Sequence, residues 1–74
     1  MVTKASFASR LRKVMGDGGM SPRQLADETG LGYSTVTGYM CGDRNPTMFG
    51  LEAVCQATGA SADWLLGLGG EQWR

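Results

Sequence analysis

Residues 21–42, Ser-Pro-Arg-Gln-Leu-Ala-Asp-Glu-Thr-Gly-Leu-Gly-Tyr-Ser-Thr-Val-Thr-Gly-Tyr-Met-Cys-Gly, constrain this 74-residue chain more than any other stretch. They read as two short helices joined by a tight turn. Ser21 can cap the first, Pro22 suits its first turn, where a backbone donor is not needed, and Gln24 completes a Ser-x-x-Gln capping box. Leu25 points inward, and Ala26 is small enough to let the second helix approach closely. Gly30 follows the last helical residue, where a left-handed backbone is cheap only without a side chain. Leu31 fills the corner. Val36 and Tyr39, three apart, turn one face of the second helix back onto the first, and Gly42 ends it.

This spacing suits a helix-turn-helix, whose second helix enters the DNA major groove. The residues resemble the lambda-repressor-like (Cro and XRE-type) helix-turn-helix family. The family pattern has a small residue, a glycine four later, an aliphatic next and two apolar anchors downstream, here Ala26, Gly30, Leu31, Val36 and Tyr39. Arg10-Leu11 resembles the family's first helix, Gly42-Asp43-Arg44-Asn45-Pro46 its loop after the recognition helix, and Ser61-Ala62-Asp63-Trp64-Leu65-Leu66-Gly67 its fifth helix. Together these span about residues 6–67 in family order. The resemblance implies an all-α fold: a compact five-helix DNA-binding domain over residues 1–74, with a helical core of about 6–67 and a flexible tail over 68–74. It also implies that Met15 and Met40 are neighbours, since the family commonly carries an Arg–Glu ion pair at these two positions.

The rest of the chain fits five helices. Ser6 is expected to cap a first helix of about 7–15, with Phe7, Leu11, Val14 and Met15 as its inner stripe and Gly16, Asp17, Gly18 and Gly19 as the break after it. The second and third helices run about 22–29 and 33–41. Thr47 caps a fourth of about 48–58, with Met48, Leu51, Val54 and Cys55 facing inward, and Ser61 caps a short fifth through about Leu66. Most glycines fall at helix ends. Gly38 and Gly50 do not, and each weakens a helix interior by roughly 0.5–1 kcal/mol relative to Ala. At Gly38 the reason is either close approach to DNA or simple tolerance.

A chain this short buries only about 60% of its unfolded surface, which predicts a small single core. Net charge is zero, an objection to DNA binding, but the charge is segregated: five basic residues against one acidic through Arg23, then two against six. A neutral total can therefore hide a basic face. There is no histidine, no phosphate loop after a strand and no base beside either cysteine, so neither an enzyme nor a cofactor or metal site is expected. Cys41 and Cys55 read as small apolar residues kept reduced, which with the lack of a signal pattern or an apolar run of membrane length points to the cytoplasm.

With Val36 and Tyr39 inward, Tyr33, Ser34, Thr37 and Gly38 fall on the outer side of the third helix, and by resemblance these match the family's base-reading positions. Arg23 and Gln24 at the start of the second helix, and Arg44 and Asn45 in the following loop, are the expected phosphate contacts. The family often has a phosphate-touching Gln where this chain has Pro22. A weak homodimer surface is expected around Trp64, Leu65 and Leu68, with core packing an equal reading for Trp64 and with Phe49 either a second anchor or merely exposed. The function read from this is a sequence-specific transcriptional regulator of phage or prophage repressor type, with double-stranded DNA as partner, no membrane and no small-molecule substrate. The alternative is an antitoxin-like or adaptor module on the same fold.

Overall fold

The computed structural model describes residues 2–74. Five helices follow in order, α1 (Lys4–Gly18), α2 (Pro22–Thr29), α3 (Tyr33–Cys41), α4 (Met48–Thr58) and α5 (Ala62–Leu65). The capping chemistry explains their bounds. Ser21 Oγ accepts from Gln24 N at 3.1 Å, Thr47 Oγ1 from Gly50 N at 3.0 Å and Ser61 Oγ from Trp64 N at 3.4 Å. At the other ends of α2, α3 and α4, Gly30, Gly42 and Gly59 take the left-handed conformation that closes each last turn.

The first helix is longer than expected. Thr3, not Ser6, is its cap: Ser6 N donates to Thr3 Oγ1 at 3.0 Å and Thr3 N to Ser6 Oγ at 2.9 Å, a reciprocal box that starts the helix at Lys4. At its far end Gly16 to Gly18 stay helical, and only Gly19, with φ 67°, stops it.

Phe7, Leu11, Val14 and Met15 of α1 meet Leu25 and Ala26 of α2, Val36 and Tyr39 of α3, Val54 and Cys55 of α4, and Ala60 and Leu65 in one buried cluster. Phe7 stands edge-on to Tyr39, with ring centroids 6.2 Å apart. Met15 is buried in this cluster and Met40 packs half-buried against it, so the two methionines share one core. Beside them the Arg12 guanidinium donates to the Met40 carbonyl, satisfying an orphan acceptor at the negative end of α3. Met48 departs from the expected inner stripe. It is the first residue of α4, ahead of the point where the helix meets the core, and is 77% exposed.

Gly50 now has a reason. It is buried, and a Cβ there would land on the Tyr39 hydroxyl, whose ring is fixed in the core. Gly50→Ala is therefore expected to destabilise the fold by about 1–3 kcal/mol through overpacking, despite the better helix propensity of alanine. Denaturant melts of the two proteins measure this, and an equal or higher midpoint for Gly50→Ala would refute it.

The last residues have partners that the sequence did not disclose. Ser61 N donates to the Gln72 carbonyl at 2.8 Å and Arg74 N to the Gly59 carbonyl at 2.9 Å, framing an antiparallel bridge between Ala60 and Trp73. Arg74 Nη2 donates to the Cys55 carbonyl at 3.2 Å, and Gln72 Nε2 to Asp17 Oδ2 at 3.0 Å. That bond, with the one from Lys13, holds the Asp17 carboxyl below its usual pKa.

Candidate nucleic-acid interface

The inward face of α3 is fixed by Val36 and Tyr39, both buried. The opposite side carries Tyr33, 48% exposed, then Ser34 exposed and Thr37 half-buried. Thr37 Oγ1 donates to the Ser34 carbonyl at 3.1 Å, which occupies its proton and leaves the hydroxyl oxygen able to accept. Gly32 begins α3 without a side-chain cap, so the amide donors of the first turn also remain open at this end.

The start of α2 adjoins the same end. The Arg23 guanidinium carbon sits 5.0 Å from the centroid of the Tyr33 ring, a cation–π contact tying the two helix starts together. Gln24 uses Oε1 to accept from Ser21 N at 3.4 Å, which leaves its amide donors for an external oxygen.

Two expected site residues are placed differently from the sequence reading. Gly38 is buried and offers no surface to DNA, because the Arg44 side chain lies across it. Arg44 accordingly does not extend from the loop as a flanking anchor. It folds back over α3, with Nη1 donating to Thr35 Oγ1 at 3.4 Å. Asn45 is exposed and lines a shallow depression with Val2, Thr3, Phe7, Pro46 and Leu66, on the α1 side of the loop.

Several cations are already engaged within the molecule. Lys13 pairs with Asp17 at 3.1 Å, Arg10 lies 5.0 Å over the Trp64 ring, Arg12 holds the Met40 carbonyl and Arg74 the Cys55 carbonyl. Lys4, Arg23 and Arg44 remain without an ion-pair partner among the described residues. Burial raises the pKa of the Cys55 thiol, which keeps it neutral and unreactive.

A family model described as a helix-turn-helix domain matches residues 6–66, from the start of α1 to the end of α5. The chain belongs to the helix-turn-helix family. Its five helices superpose on the restriction-modification controller protein C.AhdI from Aeromonas hydrophila with a TM-score of 0.79 and 29% sequence identity, covering 84% of this chain and 94% of that one. No curated protein matches the sequence. The order of elements is that of the lambda-repressor-like branch, and at family level the fold is one for DNA-binding regulation of transcription. No helix among the described residues is long and apolar enough to cross a membrane.

Within this helix-turn-helix domain the residues expected at a dimer surface separate. Leu65 is fully buried and belongs to the core, so it cannot meet a second copy without opening the fold. Trp64 is half-buried, packed against the core on one side and under Arg10 on the other. Leu68 is 74% exposed, as are Phe49 at 74% and Met48 at 77% near the start of α4. The Arg23–Tyr33 contact and the seat of Arg44 on Gly38 were not read from sequence. Both depend on which helix ends meet in space, although the unexplained mid-helix glycine was a partial signal.

Proposed function

We propose that this chain is a sequence-specific DNA-binding transcriptional regulator that seats α3 in the major groove of its operator. The observation that carries the reading is the shared end of α2 and α3. There Arg23 lies on the Tyr33 ring, open amide donors begin α3, and Ser34 and Thr37 continue a hydroxyl-bearing face. Arg23 and the Gln24 amide grip phosphate, while Tyr33, Ser34 and Thr37 meet base edges. The action is steric: a weak homodimer on a two-fold operator excludes polymerase, with exposed Leu68 and the rim of Trp64 at the contact between copies. A repressor of phage or prophage type and a controller like the similar Aeromonas protein would both use this face, in the cytoplasm and without a cofactor.

An adaptor role is the second reading, favoured by the neutral total charge and by the engagement of Arg10, Arg12, Lys13 and Arg74 away from the α3 face. Titration of random duplex DNA at two salt concentrations separates the two. With so few basic side chains on this face, the slope of log affinity against log salt is expected to be shallow, about −3 to −4 per monomer. An adaptor shows no such binding. On the preferred site, Thr37→Ala is expected to cost about 1–2 kcal/mol while changing affinity for random duplex little. Equal losses on both would remove Thr37 from the reading surface.

A further inference from the structure

Gly38 is a buried glycine in the middle of the one helix whose outer face is otherwise presented outward. The space a side chain would take there is filled from elsewhere. Arg44 Cγ and Cδ each lie 2.8 Å from where a Gly38 Cβ would stand, and Nε lies 3.2 Å from it. We propose that Arg44, delivered from the loop through the gap left by Gly38, reads a guanine in the major groove. This rests on the DNA-binding function proposed above, and assigns part of its specificity to a residue outside the recognition helix.

Three observations carry the assignment. The backbone is folded to deliver the side chain: with Gly42 left-handed, Asp43 N and Arg44 N both donate to the Gly38 carbonyl, at 2.9 and 3.2 Å, which turns the loop back over α3. The guanidinium is oriented along the helix by its bond to Thr35 Oγ1, and no carboxylate among the described residues lies within ion-pair distance of it. The remaining groups of the face are hydroxyls, a phenol ring and open backbone amides, none of which supplies the paired side-chain donors that match guanine O6 and N7. Arg23 has such donors, but it is stacked on Tyr33 at the start of the helix.

The experiment uses the full chain, its preferred duplex selected from random DNA, and the same duplex with each guanine replaced in turn by 7-deazaguanine, which lacks the N7 acceptor. One replacement per half-site is expected to weaken the wild-type protein by up to roughly tenfold, through loss of the N7 half of a bidentate base contact. Arg44→Ala should lose at least as much on the unmodified site and show no further loss on the modified one. Arg44→Lys keeps the charge but should weaken the guanine preference, because the three donors of an ammonium diverge from one nitrogen where the guanidinium presents a planar fork. Gly38→Ala should weaken it too while folding at least as stably, since its Cβ displaces only a flexible, exposed side chain. The proposal is overturned if Arg44→Ala weakens selected and random duplex alike and leaves the 7-deazaguanine loss intact. It is also overturned if Gly38→Ala keeps the preference, or if the selected site holds no guanine. Absence of any duplex binding by the wild type is a separate result, which removes the DNA-binding function itself.

Discussion

Met15→Arg is expected to destabilise the fold by about 3 kcal/mol. Met15 is 3% exposed and belongs to the central cluster, so a guanidinium at this position is desolvated without a partner. Where the related family carries an Arg and a Glu, this chain carries two methionines, and the structure places Met40 against the same cluster. Exchanging a buried ion pair for apolar side chains is often neutral or favourable, whereas restoring only one member leaves a stranded charge. The double variant Met15→Arg with Met40→Glu should therefore regain a measurable part of the loss. Denaturant melts of the four proteins in the cycle give the coupling directly. A coupling of zero would mean that the two positions are not neighbours in the required sense. A fully stable Met15→Arg would mean that the end of α1 lets the guanidinium reach water.

Leu65→Ala should cost about 2–5 kcal/mol, by the same amount in dilute and in concentrated protein. Leu65 is completely buried and joins α5 to the cluster formed by α1 and α4. A leucine at an interface between copies would behave otherwise, weakening self-association while leaving the melt of the dilute monomer unchanged. Sedimentation together with melting at two concentrations decides between these outcomes. The contrast with Leu68, three residues on and 74% exposed, is steep enough that Leu68→Ala serves as the comparison in the same experiment.

Most of the helical frame was legible because its signals are local. A Ser-x-x-Gln box, a proline at the first helical position and a glycine after each last turn are decided by neighbours in sequence. The bounds of α2, α3 and α4 followed from them. The start of α1 was missed although its signal was equally local, since Thr3 and Ser6 form a reciprocal box in which Ser6 looked like the cap. Met48 was misplaced because an apolar stripe extrapolates past the point where a helix leaves the core. The two mid-helix glycines could be recognised as anomalies but not explained. Gly50 is kept small by the Tyr39 hydroxyl and Gly38 by the stem of Arg44, and in each case the cause comes from another element. Docking of the C-terminal residues was invisible for the same reason, since its hydrogen bonds run from Gln72 and Arg74 to residues contributed by α1, α4 and the turn before α5.

The two tryptophans each lie against α1, one from α5 and the other from the C-terminal residues. Trp64 lies under Arg10, while Trp73 pairs with Ala60 and brings its ring tip to 3.9 Å from where a Gly18 Cβ would be. Neither belongs to α2 or α3, and the only exposed aromatic on that side is the phenol of Tyr33. Indole emission thus reports on α1, α5 and the C-terminal residues, not on the outer face of α3. Undocking of the C-terminal residues is expected to change the tryptophan signal. The protein thus carries its own label for the docking of its C-terminal residues, which can be followed in an unlabelled sample.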